Sequence, residues 1–67
     1  MTDRAKLWGY MKAAGVTQAK AAEATGLSRQ TFNSRMNGKT EFKENEMRKL
    51  CDFLSIPKGE RSDIFFC

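Results

Sequence analysis

Apolar positions along this chain recur at helical spacing in short blocks, each closed by a turn residue. Leu7, Met11 and Ala14 stand at i, i+4 and i+7, with Trp8 widening the stripe. Asp3 is a suitable N-cap and Gly15 a suitable closing residue, so a first helix is predicted over 3–14. Thr17 can cap a second helix over 18–25, whose four alanines favour helix and keep one face thin. Gly26-Leu27 interrupts, and Ser28 can cap a third helix over 29–36. That helix has only Phe32 and Met36 as apolar anchors, and the rest is polar. Asn37-Gly38-Lys39-Thr40 is a turn signal; its flanks do not alternate like strands, so it reads as a loop, not a hairpin. Met47, Leu50, Cys51 and Leu54 define a fourth helix over 44–55. With Lys43 as N-cap, Phe42 and Met47 have the spacing of a hydrophobic staple, but lysine is a poor cap and sets the start only to within a residue or two. Ile56-Pro57 ends that helix. The run 58–63 suits one short turn, and Ile64-Phe65-Phe66-Cys67 suits a short strand, a last helical turn or a tail packed on the core.

The break between the second and third helices is the most informative feature. Two short helices joined by a glycine-containing turn make a helix-turn-helix unit, whose second helix enters the major groove of DNA. Ala22 suits a close helix contact, Gly26 a turn that needs positive φ, and Leu27 and Phe32 the anchoring of the second helix. The fold expected is all-α, a compact bundle of four to five short helices in one domain spanning 1–67.

The segment TQAKAAEATGLSRQTFNSRMNGKTEF resembles the helix-turn-helix core of the Cro/CI (XRE-type) repressors of phages and bacteria. The likeness rests on Thr17-Gln18, Ala22, Gly26, Ser28, Phe32 and Asn37-Gly38-Lys39. It extends back to Leu7, Met11 and Gly15 and forward to Phe42 and the Met47/Leu50/Leu54 helix. One departure is Arg35, where the family often has an apolar residue; here the anchor moves to Met36. The resemblance implies a lambda-repressor-like bundle that binds operator DNA, usually as a homodimer. It also implies that Gln18 reaches a phosphate and that Ser28, Arg29 and Gln30 lie at the exposed start of the recognition helix, with Asn33 and Ser34 one turn on. Asn37, Lys39 and Thr40 would touch the DNA backbone just past it.

Side-chain chemistry agrees with those roles. Arginine can donate twice to guanine, glutamine or asparagine can pair with adenine, and the Thr31 methyl can meet a thymine methyl. Arg29, Gln30, Thr31, Asn33 and Ser34 are therefore the candidate base contacts, and Gln18, Ser28, Asn37, Lys39 and Thr40 the candidate backbone contacts. A polar helix face taken alone is simply solvated; the helix-turn-helix frame reverses that reading here. Trp8 and Tyr10 suit either a rim position or a partner contact.

The net charge of +4 and pI of about 9.4 suit a polyanionic partner. Residues 18–43 carry Lys20, Arg29, Arg35, Lys39 and Lys43 against Glu23 and Glu41, a local surplus of +3. The chain has no histidine, and its two cysteines, Cys51 and Cys67, match no zinc spacing. No catalytic, metal or cofactor role is expected, and no small-molecule ligand. The start of the chain does not read as a signal peptide, and no stretch reaches the roughly 20 apolar residues of a membrane span. A cytoplasmic location follows as an expectation. A 67-residue domain buries only about 60% of its unfolded surface, so its core is thin. The apolar tail at 64–67 either folds back on the core or meets the same tail of a second copy, and Ile64, Phe65 and Phe66 are expected to contribute to the dimer, alone or with the fourth helix. The function expected is that of a transcriptional regulator, a Cro-like repressor from a phage or mobile element that occludes a promoter. The alternative is a protein-interaction module such as an antitoxin or adaptor.

Overall fold

A computed structural model describes residues 2–65. Five helices follow one another: α1 (Arg4–Ala14), α2 (Gln18–Thr25), α3 (Arg29–Met36), α4 (Glu44–Leu54) and α5 (Lys58–Ile64). The starts obey the local rules. Asp3, Thr17 and Ser28 each accept a hydrogen bond from a backbone N–H one turn on, from Lys6, Lys20 and Thr31 at 3.1, 3.2 and 3.1 Å.

The α2–α3 turn depends on Gly26, at φ 74°. In that conformation the Gly26 and Leu27 N–H groups turn back onto the carbonyls of Glu23 and Ala22 at 3.1 and 3.0 Å, satisfying the end of α2. Only three residues, Gly26, Leu27 and Ser28, separate the two helices. α2 packs on α3 and α4, and α1 on α4 and α5. Ala21 and Ala22 are both buried, and small side chains there let the neighbouring helices approach closely.

The core is Leu7, Met11, Phe32, Met36, Leu50, Cys51, Leu54, Ile56 and Ile64, joined by Phe42 and Phe65. Phe42 lies edge-on to both Phe32 and Phe65, with ring centroids 6.2 and 5.7 Å apart. Burial pushes the Cys51 thiol pKa up, so this cysteine stays a protonated, apolar filler. Trp8 and Tyr10 are half-buried against the core, and the Tyr10 hydroxyl donates to the Glu60 carboxylate. No helix among the described residues is long and apolar enough to cross a membrane.

Several expectations need adjustment. Ala14 is exposed, so the α1 stripe is narrower than its spacing suggested. α4 ends at Leu54, because Ser55 turns left-handed at φ 56° and closes the helix. The segment after Pro57 is two turns of helix, α5, in place of one short turn. Ile64 completes it, and Phe65 pairs as an isolated antiparallel bridge with Thr2, beside an Asp3 N–H to Ile64 carbonyl bond of 2.6 Å. Against the dimer contact expected of the tail, Ile64 and Phe65 fold back: at 0% and 5% exposure they are covered by their own chain, because the space beside Phe42 and α1 takes them into the core. Phe66 and Cys67 lie outside the described residues.

Phe65→Ala removes one end of the aromatic row. It should cost about 3–5 kcal/mol, against a total stability of about 3–10 kcal/mol expected for a chain this short. A urea melt followed by circular dichroism should show a largely unfolded variant; a melt like that of the wild type would mean that Phe65 is not part of the core.

Candidate nucleic-acid interface

The first residues of α2 and α3 come together on one side of the bundle. Gln18, from the start of α2, lines a shallow depression of about 260 Å³ with Arg29, Gln30 and Asn33 from α3. Arg29, Gln30 and Asn33 are exposed and Gln18 is half-buried. The first turns of α2 and α3, like that of α1, carry no acidic residue, whereas α4 has Glu44 and Glu46 there and α5 has Glu60. Carboxylates near a helix start would repel an anion that the free N–H groups and the dipole attract. The depression therefore combines two positive helix ends with amide and guanidinium donors.

The other candidates lie outside that depression. Thr31 is half-buried and turned to the cap, its hydroxyl accepting from the exposed Ser28 at 2.9 Å. Ser34 is half-buried, and its carbonyl accepts from the Lys39 and Thr40 N–H groups at 3.0 and 3.4 Å, which shapes the loop after α3. Asn37 donates from its side-chain amide to Asn33 Oδ1 at 3.2 Å. That bond uses one acceptor site of Asn33 and leaves its second lone pair and its own amide donors for another partner. Lys39 and Thr40 are exposed on the loop.

Arg35 has a role that its place in the sequence did not suggest. Its side chain is only 13% exposed, and it donates through Nε and Nη2 to the two carboxylate oxygens of Glu46 at 2.9 and 3.3 Å. Nη1 reaches the Thr40 hydroxyl at 2.6 Å. Glu46 also accepts from the Lys43 backbone N–H at 2.9 Å. Lysine has no acceptor with which to cap α4, so Glu46 supplies the one side-chain half of a capping box that can form. One carboxylate thus ties the last turn of α3, the loop and the start of α4. The hydrogen bonds from Arg35 hold the Glu46 pKa below the ordinary carboxyl range; burial opposes this, and the Lys43 N–H assists. The Arg35 charge is matched by Glu46, which lies beyond the 18–43 window, so the local surplus counted along the sequence overstates the cations this face can offer. The only sequence signal was an arginine in a position where the resembled family favours an apolar residue.

A larger open groove, about 620 Å³, runs between α4 and α5 over Met47, Cys51 and Phe65. It contains none of the candidate residues. Among the described residues no group of acidic or thiol side chains could hold a metal ion.

Two neighbouring helix starts with a tight glycine turn between them define a helix-turn-helix domain. The profile of the helix-turn-helix domain family matches residues 5–64, and the chain belongs to that family, within the broad XRE/Cro-CI-like superfamily. No curated protein matches it. Domains of this kind are typically non-catalytic and bind DNA or protein through the motif.

The Glu46 contacts carry a pH signature. A depressed folded-state pKa means that the charged form stabilises the fold. That contribution is complete above the ordinary glutamate value of about 4.3 and fades as pH falls below it towards the lowered folded value. Glu46→Gln keeps an acceptor for the Lys43 N–H but loses the charge. The variant should be less stable than wild type at pH 7 and should lose less stability between pH 5 and 3, about 2 units spanning the carboxyl range. Parallel acid profiles in paired thermal melts would refute this role for Glu46.

Proposed function

We propose that the chain is a sequence-specific double-stranded DNA-binding regulator of the Cro/CI type, acting as a homodimeric repressor that occludes a promoter. The observation that carries this reading is the convergence of Gln18, Arg29, Gln30 and Asn33 on one depression at two helix starts free of acidic residues. In this reading α3 enters the major groove start-first. Arg29, Gln30 and Asn33 read base edges, with Thr31 and Ser34 in supporting contacts. Gln18 and Ser28 on one side, and Asn37, Lys39 and Thr40 on the other, hold phosphates. The dimensions leave room for a symmetric pair: the Cα trace measures 28 × 24 × 20 Å. Two copies therefore fit in successive major grooves, which are about 34 Å apart. The reading implies a cytoplasmic protein.

A second reading, a protein-interaction module of the antitoxin or adaptor kind, draws on Phe53 of α4. It is the one large hydrophobic side chain exposed among the described residues, at 43%. Stoichiometric co-purification of a partner lost in Phe53→Ala would favour it.

Selection from random double-stranded DNA at near-physiological salt tests the first reading. An inverted repeat with half-sites about 10 base pairs apart is expected, and no enrichment would refute it. On the selected site, Arg29→Ala or Gln30→Ala should relax discrimination at one base step by about 1–3 kcal/mol. Lys39→Ala should weaken binding to all sequences alike and lower the salt slope by about 0.9. Equal loss on selected and random DNA for Arg29→Ala would remove base reading by that residue.

A further inference from the structure

We propose that Arg4, the first residue of α1, is a phosphate-binding residue of the DNA interface, acting beside Lys39 on the loop that follows α3. The proposal rests on the DNA-binding reading above. Arg4 is far from this loop in sequence, yet its guanidinium lies beside the loop at Gly38. A Cβ added at Gly38 would stand 2.5 Å from Nη1, 2.6 Å from Cζ and 3.1 Å from Nη2 of Arg4. Its φ of 80° favours glycine at 38; the guanidinium, at the end of a flexible side chain, could swing aside from a Cβ there. The Arg4 side chain is exposed and makes no hydrogen bond or ion pair with any described residue. A planar fork of donors that lies beside the loop and is left unengaged suits the oxygens of a phosphodiester.

The neighbourhood agrees. Lys39 follows Gly38 directly and is likewise exposed and unpaired among the described residues, while Glu41, the carboxylate of the loop, is already engaged. Arg35, the nearest other cation on α3, is held by Glu46. Arg4 supplies from α1 the positive charge that Arg35 does not present. Its position past the end of α3, away from the base-reading start, makes the contact sequence-independent.

The test is a salt series of binding titrations with the intact chain, on the selected duplex and on a random-sequence duplex, with a thermal melt of each variant. Arg4→Gln should weaken both duplexes several-fold by the same factor and lower the log–log salt slope by about 0.9 per chain, with the melting temperature unchanged. Arg4→Lys should restore most of the slope. Lys6→Gln removes the same charge from the same helix, but Lys6 faces Asp63 at 3.8 Å and should leave the slope as it was. An unchanged slope in Arg4→Gln overturns the proposal, and a lowered melting temperature beside it would reduce Arg4 to a cover for the turn. Equal slope losses in Arg4→Gln and Lys6→Gln overturn it in favour of net charge. If the intact chain binds neither duplex, the DNA-binding reading falls and this site with it; if it binds both and Arg4→Gln behaves as wild type, only this site falls.

Discussion

A helix that keeps most of its circumference polar can give only one narrow row to its own protein. α3 does this with Phe32 and Met36, an i, i+4 pair, both essentially without solvent exposure. The rest of the bundle is arranged around that seat. Phe32 meets Phe42 from the loop, and Phe42 meets Phe65 from beyond α5, so the seating of a two-turn helix depends on residues near the other end of the chain. Thr2 closes the row by pairing with Phe65. Edge-to-face aromatic pairs add about 0.5–1.5 kcal/mol each beyond the area they bury, a substantial share for a core this thin.

A single row of anchors fixes where a helix lies better than it fixes its roll. The Arg35–Glu46 contacts act on that second variable. Bidentate geometry allows one orientation of the guanidinium relative to the carboxylate, and the Thr40 hydroxyl holds the remaining nitrogen. Ion pairs withdrawn from water lose much of their attraction to desolvation, so their use is often geometric. Here the geometry concerns α3, α4 and the loop between them together, because Glu46 also holds the Lys43 N–H. The departure at Arg35 and the poor cap at Lys43 have one physical answer in the same carboxylate.

Most of the helix boundaries were legible because they rest on local chemistry. Asp3, Thr17, Ser28 and Gly26 act within a turn of themselves, and their residue types announce it. Glu46 was not legible. Periodicity counts apolar side chains, and a buried carboxylate becomes visible only when its arginine, eleven positions earlier, is placed beside it. Ser55 was missed for a related reason: it takes the left-handed closing conformation that Gly15 and Gly26 announce by type, and serine does not. The tail was undecidable from sequence because three apolar residues at a chain end fit either a core or a partner, and only the space left beside Phe42 decides for Ile64 and Phe65. In the candidate interface, residue types alone could not separate Thr31, turned to the cap, and the half-buried Ser34 from Arg29, Gln30 and Asn33, which share a depression with Gln18.

The distribution of paired and unpaired charge bears on how such a small domain would select its partner. Lys6, Arg35, Arg48 and Arg61 each face a carboxylate, Asp63, Glu46, Glu44 and Asp52 in turn. Among the described residues Arg4, Lys20, Arg29, Lys39 and Lys43 form no such ion pair and belong to the helix-turn-helix unit or the surfaces beside it, as does Lys49, whose ammonium lies 4.0 Å from where a Cβ at Gly26 would stand; Lys12 and Lys58 are unpaired elsewhere. At physiological ionic strength, fields from exposed charges fade over about 8 Å, so the total of +4 has little reach by itself. What acts on a polyanion is the local set, and pairing elsewhere sharpens it by cancelling competing patches. Two acid-free helix starts and a guanidinium beside Gly38 add directed donors to that set. Orientation on a duplex would then follow from where these groups stand, and the basic composition would contribute chiefly to the rate of encounter.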